Sequence, residues 1–454
     1  MPRLIITRTP VRISLLGGGT DFPAYYEKHG GAVLSTAINS YVDVIVRDRF
    51  FDDIVIDTSE KEVCQSVSEI KHNLIREAMR MVAKDLALDW SKVEIATLAD
   101  IPGHGIGLGS SASVTVGVLN ALYNFAGQSI SPEELARKAY QIEAEILGYP
   151  AGVQDQLIAS YGGFRFIELD KDINISNPLD TGDLSDYLLL FYTETVRQGK
   201  SILTPFVNSI QSKASILNEM TELARTGYKV FLERDWEQLG HLIDTSWEVK
   251  KQYSNGVSNS FIDDLYDKAK SLGAWGCKIS GAGGGGFFLA MAPKEKREQI
   301  VRGLGLRELP FRFEEKGSSV IYNDGGHTGA KPNPGHFLIA FDVDGTLSGR
   351  QGSITAKQIN KLNRENVTWG ILCSRPIESS TQVCCDIGIN PHFIRQCEVD
   401  HRASYLRQLA NDYPTQFTVY VADRDIDRQE ALRAGWEFYY QQEMNNLLNR
   451  IEKW

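Results

Sequence analysis

Four groups of residues in this chain have types and spacings that can do chemistry. In Gly107-Leu108-Gly109-Ser110-Ser111-Ala112-Ser113, glycines and small side chains lead straight into a helical pattern. Only such residues let a backbone close on a phosphate, and N–H groups converging at a helix N-terminus stabilise the anion. The loop reads as a phosphate cradle. It is not a P-loop, because no lysine follows its last glycine. It fits a dinucleotide fingerprint poorly, because serine takes the third glycine position. A second glycine run, Gly281 to Gly286, lacks the Val-Ala-Ile-Lys and His-Arg-Asp-Leu sequences that accompany a protein-kinase glycine loop.

Acids form the second group. Phosphoryl transfer needs charge neutralisation, usually by Mg²⁺, and a group to handle the acceptor's proton. Residues 141–156 carry Glu143, with Glu145 as its competitor, and Asp155 near the start of a further helix. Taken alone, Glu143 is an acid on a solvated helix face and Asp155 a helix N-cap. The third group is Arg12 and Asp21 in Arg12-Ile-Ser-Leu-Leu-Gly-Gly-Gly-Thr-Asp21, where Arg12 alone reads as half of a surface ion pair. In the fourth, Asp342 and Asp344 stand two apart after the apolar run 337–341, and two later apolar runs end at Ser374 and at Asp423 with Asp427. Groups at the carboxyl ends of parallel strands are where α/β sheets place their chemistry, and a carboxylate there can attack phosphorus.

The elements that must position these groups follow from periodicity. Residues 42–47, 53–57 and 92–98 read as strands of an N-terminal sheet. A helix begins at Ser110, another at Ser131 with proline at its first position, and residues 210–251 are helical with few breaks. After residue 337, short apolar strands alternate with helices, the signature of a parallel sheet. The stretch 322–336, rich in Gly, Pro and Asn, reads as a linker between two folding units.

Three motifs in order carry a family resemblance. The loop Gly107–Ser113 resembles the second motif of the GHMP kinases, Arg12–Asp21 resembles their N-terminal substrate motif, and Lys278–Phe288 their third, glycine-rich motif. The resemblance spans about residues 3–321 and implies an α+β fold of two lobes with mixed and antiparallel sheets, here divided as 1–165 and 166–321. It implies ATP held by Gly107, Leu108, Gly109, Ser110, Ser111, Ala112, Ser113, Gly281, Gly283 and Gly284. It also implies Mg²⁺ at Ser111 and Glu143, Asp155 as general base or hydroxyl orienter, and Arg12 beside the transferring phosphoryl and the Asp155 carboxylate. Gly18, Gly19, Thr20 and Asp21 would hold the acceptor. One departure is the step from Pro102 to Gly107, a residue longer than is usual in the family.

The acceptor is narrowed by the same resemblance. Galactokinases carry Glu-His where this chain has Gly18-Gly19, whereas residues 17–39 and 152–163 are similar to heptose 7-phosphate kinases, which phosphorylate an anomeric hydroxyl. Fucokinases share much of the pattern. A phosphorylated acceptor calls for a cationic anchor, for which Arg197 and Lys200 are candidates.

The tail, 337–454, resembles the haloacid dehalogenase-like phosphatases, an α/β parallel-sheet fold. That resemblance implies Asp342 as nucleophile, Asp344 as acid/base, Ser374 as phosphate anchor, and Asp342, Asp423 and Asp427 around a second Mg²⁺. The family's lysine has no counterpart, since no lysine lies between Asn363 and Asn449. Arg402 or Arg407 would replace it, gripping phosphate through a planar fork. The expected product is a bifunctional enzyme whose two sites act on different phosphates. An inactive or regulatory tail and a non-catalytic sugar and ATP sensor are the alternatives.

Bulk properties agree. A chain of 454 residues exceeds one core, and a formal net charge of -10 disfavours nucleic-acid or anionic-membrane partners. With no signal-like N-terminus or membrane span, a cytoplasmic enzyme of a small-molecule sugar or sugar phosphate is expected, compatible with an oligomer. The six cysteines show no zinc spacing and are expected as buried thiols.

Overall fold

The spine of the N-terminal unit is an 18-residue strand, Gly31–Asp48, whose first half is buried on both faces and whose second half alternates. That change marks where helices cover both sides of the sheet and where one side opens. The computed structural model describes residues 3–102, 106–195, 199–323, 337–347, 354–362, 367–387, 389, 391–397, 401–413, 415 and 417–452. It divides into two compact units, Met1–Gly326 and His327–Trp454.

In the first unit the strands are β1 Leu4–Leu16, β2 Gly31–Asp48, β3 Ile54–Asp57, β4 Lys61–Cys64, β5 Val93–Ala99, β6 Phe164–Leu169, β7 Ile173–Ile175, β8 Leu188–Tyr192, β9 Gly276–Ile279, β10 Phe287–Met291, β11 Arg307–Glu308 and β12 Ser319–Asn323. One sheet runs β12-β1-β2-β5-β3-β4, with β6 and β7 branching from β2. A smaller antiparallel sheet runs β11-β8-β10-β9.

The register of β1 on β2 shifts between Pro10 and Val11. Proline has no N–H to give the ladder, so an irregularity is tolerated there. The shift matters because Pro10's carbonyl accepts from Ser113 Oγ (2.8 Å), and Arg12 N, just beyond it, donates to Leu108 O (2.9 Å). The strand thereby anchors the loop. The helix Ser110–Phe125 that follows is apolar nearly all round and buries Val116, Val118, Leu119, Ala121 and Leu122. A helix of that kind can be stable only inside a core, and it packs on β1 and β2.

The C-terminal unit is a parallel sheet of β13 Phe337–Phe341, β14 Val367–Cys373, β15 Phe393–Gln396, β16 Phe417–Ala422 and β17 Glu437–Tyr440, ordered β15-β14-β13-β16-β17. Every residue of β13 is buried, as expected for a central parallel strand covered on both faces. The chain proceeds to one side of β13 through β14 and β15, then to the other through β16 and β17. The carboxyl ends of β13 and β16 thus flank the switch point, where such sheets bind ligands.

Two expectations need correction. The division at 165/166 falls inside β6, which pairs with β2. Tyr322 and Asn323, expected in the linker, belong to β12; residues 324–336 lie outside the described residues. The stretch 210–251 is helical as expected, with a break between Ala214–Leu232 and Trp236–Lys250, where Arg234 takes a φ of 57°. Cys64, Cys277, Cys373, Cys384 and Cys397 are free and buried. Among the described residues no helix is long and apolar enough to cross a membrane.

Candidate active site

Arg12 lies on β1 beyond the register shift, and its guanidinium joins two distant segments. Nε and Nη2 donate to the two oxygens of Asp155 (2.7 and 2.8 Å), and Nη1 donates to Gly107 O (2.7 Å). This fork-to-fork pairing is the geometry in which arginine fixes a carboxylate's orientation. Arg12 is nearly buried, at 7% exposure, while Asp155 keeps 30%. The carboxylate is therefore held from behind and open in front, toward a cavity of about 530 Å³.

Asp155 is the second residue of the helix Gln154–Tyr161, whose N-cap is Val153. The expected N-cap role thus does not belong to Asp155. Asp21 serves that helix end instead: its Oδ2 accepts from Gln154 N (3.2 Å) and its carbonyl from Val153 N (3.0 Å). Its Oδ1 accepts from Gly19 N (3.1 Å). Burial raises the Asp21 carboxyl above its ordinary range, with the Asp155 charge acting the same way and the Gln154 N–H opposing. The approach is so close that a Cβ on Gly152 would lie 2.0 Å from Asp21 Oδ2.

The two glycine runs meet backbone to backbone. A Cβ on Gly107 would stand 2.3 Å from Ser280 O, and one on Gly281 would stand 2.5 Å from Gly107 Cα. Ser280 Oγ also donates to Gly107 O (3.0 Å). Gly109, at φ 73°, turns the chain into the helix Ser110–Phe125. Gly107, Gly109, Ser110, Ser111, Gly281 and Gly283 line the cavity, as do Gly18, Gly19 and Asp21.

Other expected contacts turn away from it. Leu108 and Ala112 are buried, and Ser113 Oγ is spent on Pro10 and Gly109 carbonyls. Thr20 Oγ1 bonds Gly17 and Ala32 carbonyls, and Gly284 N bonds Val257 O. These five residues shape the loops rather than offering side chains to a ligand. The altered entry at residues 103–105 and Arg197 of the proposed anchor lie outside the described residues, as does the side chain of Lys200.

Glu143 sits in the π-helical turn Gln141–Ile146 and is buried, whereas Glu145 is exposed. Only Glu143 faces the cavity. Its Oε2 lies 3.4 Å from Ser111 Oγ, and its Oε1 is buried with no partner among the described residues. Burial pushes this carboxyl up to about 7, opposed by a hydrogen bond from Thr115 and assisted by the Asp155 charge. An orphaned buried carboxylate oxygen beside a hydroxyl suits a hard divalent cation.

Three comparisons with known proteins now bear on this arrangement. Residues 73–163 match the GHMP kinases N terminal domain and residues 228–308 match GHMP kinases C terminal. A D-glycero-alpha-D-manno-heptose 7-phosphate kinase of Campylobacter jejuni is 30% identical over 334 residues, covering 69% of this chain and 98% of that protein. This chain belongs to the GHMP kinases. A bifunctional fucokinase/GDP-fucose pyrophosphorylase of Arabidopsis thaliana is 24% identical over 329 residues, or 66% of this chain and 31% of that one. The crystal structure of a D-glycero-D-manno-heptose 1-phosphate kinase from Bacteriodes thetaiotaomicron superimposes with a TM-score of 0.59 at 25% identity, covering 70% of this chain and 99% of that one.

The GHMP kinase cavity also holds residues that the sequence reading missed. Gln154, Lys250, Tyr253 and Ser254 line it. Gln154 Nε2 and Ser254 Oγ are buried with no partner among the described residues, which leaves polar atoms free for a hydroxylated ligand. Helix-end residues such as Lys250 carry no motif, so only the packed structure reveals them.

The C-terminal unit gathers its acids at the switch point. Asp342 follows β13, and Asp423 and Asp427 follow β16; one oxygen of each lies within 4.8 Å of the others. Asp342 Oδ2 and Asp423 Oδ1 are buried without partners among the described residues. Arg402, fully buried, pairs with Asp427 and stands 3.8 Å from Asp342, while Arg424 stands 3.9 Å from Asp342 and bonds Asp427 (2.9 Å). Arg407 is exposed and donates to Arg433 O (2.7 Å), so of the two expected replacements only Arg402 reaches the acids. Asp344 accepts from Arg375 (2.8 Å). Ser374 is exposed just past the end of β14. Burial pushes Asp342 up to about 6, with Arg402 opposing and Asp427 assisting.

Proposed function

We propose that this GHMP kinase transfers the γ-phosphoryl of ATP to the anomeric hydroxyl of a sugar 7-phosphate of the heptose type. The observation that carries the reading is the Arg12–Asp155 fork facing the paired glycine loops in one cavity. The acceptor hydroxyl sits at the open face of Asp155, which orients it and takes its proton as the new P–O bond forms and the bond to ADP breaks. Arg12 keeps Asp155 aimed and tied to Gly107. Backbone N–H groups between Gly107 and Ala112 hold the phosphates. Ser111 and Glu143 are the residues that would hold Mg²⁺, whose chemistry is to neutralise phosphate charge. Asp21, Gln154 and Ser254 meet the sugar. The intact fork speaks against a non-catalytic sensor.

The parallel C-terminal unit is proposed as a haloacid dehalogenase-like phosphatase. Its strand order and the Asp342, Asp423 and Asp427 cluster support this, with Arg402 in place of the family lysine. Asp342 would form the phospho-aspartate and Asp344 would serve as acid and base. The acids would hold Mg²⁺ for charge neutralisation. Removing the phosphate that the kinase adds would only waste ATP, so this unit is assigned the other phosphate of the product.

ADP release across a panel of hexoses, heptoses, fucose and their phosphates, with Asp155→Asn as control, tests the kinase reading. Turnover with a heptose 7-phosphate that disappears in the variant is the expected result. A preference for free fucose would move the assignment to the fucokinase-like branch.

A further inference from the structure

Lys250 closes the helix Trp236–Lys250 and forms part of the cavity wall, at only 6% exposure. An ammonium has three N–H donors. Among the described residues its one hydrogen-bond partner is the carbonyl of Gly281. Gly281 is the residue whose backbone presses on Gly107, so Lys250 reaches the seam between the two phosphate-binding loops. The charged groups facing it are Arg12, Asp21 and Asp155, with Lys278 behind, its ammonium spent on the Ser14 and Leu15 carbonyls (3.1 and 2.9 Å). Arg12 is committed to Asp155 and Gly107 O. Lys250 is therefore, among the described residues, a cation at this seam with donors to spare, lining the same cavity as Asp155.

A buried ammonium held by one neutral carbonyl is costly unless an anion completes its shell. The polyanion that belongs here is the phosphoryl group in flight. We propose that Lys250 is a catalytic residue whose ammonium hydrogen-bonds a non-bridging oxygen of the transferring phosphoryl group. The acceptor oxygen bonds to phosphorus as the bridging bond to ADP breaks, Asp155 receives the acceptor's proton, and Lys250 keeps its own. The inference rests on the kinase reading above. Burial, followed by the Arg12 charge, lowers the Lys250 ammonium to about 8.

Two arms test it, one needing no acceptor. In the first, the titration of Lys250 is followed by NMR on wild-type protein with isotopically labelled lysine, assigned with Lys250→Arg. A non-hydrolysable ATP analogue raises the midpoint by about one pH unit, since an adjacent dianion favours the charged form, and ADP raises it far less. An equal response to ADP, or none to either, overturns the proposal.

In the second arm, Lys250→Met lowers kcat by roughly 10²- to 10³-fold, the usual cost of one donor to a developing oxyanion, with ATP affinity falling by no more than about tenfold, the counterpart of a one-unit shift. Wild-type kcat/KM falls as pH rises past about 8, and Lys250→Arg removes that alkaline limb. A strap that merely pins the Gly281 loop would instead weaken ATP binding in step with kcat, and that result contradicts the proposal. If no acceptor turns over but the analogue still shifts Lys250, the acceptor assignment fails and this inference stands.

Discussion

Both units hold an aspartate by arginines, and the two do so in opposite ways. In the kinase unit one guanidinium grips Asp155 from behind and leaves 30% of it exposed to a cavity. In the C-terminal unit Asp342 is 2% exposed and has Arg402 and Arg424 at 3.8 and 3.9 Å, neither close enough to hydrogen-bond. Asp155 has its partner already and waits for a hydroxyl. Asp342 has charge nearby and an unpartnered oxygen, so its environment raises it to about 6. In the proposed reading, the same residue pair thus serves as a pre-oriented proton acceptor in one place and as a buried group for a cation and a phosphate in the other.

The largest effect that would sharpen this contrast is on turnover. Asp155→Asn keeps the fork's shape but loses the charge, and kinase kcat should fall by about 10³-fold, within the range for a general base. Asp342→Asn should leave ADP release untouched while abolishing phosphate release from the C-terminal unit. Cross-talk between the two variants would break the separation.

Next is stability. Arg402→Met leaves the buried Asp427 and Asp342 with only the partly exposed Arg424 as a cation, a change that costs up to about 3–5 kcal/mol and should show as a large downward shift of the C-terminal unit's calorimetric transition. A transition that stays in place would show that Arg402 is not what compensates those acids.

A smaller effect, about 3 kcal/mol at most, concerns Glu143, raised to about 7 from 4.5. A carboxyl raised in the folded state contributes stability that is full below its unfolded pKa and is lost as pH climbs through the folded one. In metal-free protein, the stability of wild type relative to Glu143→Gln should therefore decline between about pH 4.5 and 7. A flat difference would mean that Glu143 is solvated. The smallest effect is a pH limb: phosphate release should rise through about pH 6 as Asp342 ionises, and a profile flat across that range would contradict its role as nucleophile.

Much of the kinase site was legible in the sequence because its signals are local. Gly107 and Gly281 stand where positive φ and backbone contact exclude a side chain, and Gly109 where positive φ and the Arg12–Asp155 pair do; small residues after glycine mark the helix start. Pairing of Arg12 with Asp155, 143 residues away, followed only from the order of three motifs. Other features needed the packed structure. Glu143 and Glu145 are two apart, and only the π-helical turn decides which is buried. Arg402 and Arg407 share one helix, and the burial of Leu406 and Leu409 decides which of them turns inward. Lys250 looks like any basic residue favouring a helix C-terminus; its burial comes from the helix packing on β9. The cut at 165/166 failed because β6 returns to pair with β2, a long-range contact with no local mark.

The central claim is that Asp155 and the glycine loops phosphorylate an anomeric hydroxyl. It is tested most directly by ³¹P NMR of ATP and a heptose 7-phosphate with the Asp342→Asn protein, whose second site is silenced. The expected spectrum has a new resonance coupled to the anomeric proton while the 7-phosphate signal persists, and no such resonance when Asp155→Asn is added. A phosphate appearing at another hydroxyl, or turnover that survives the loss of Asp155, would contradict it.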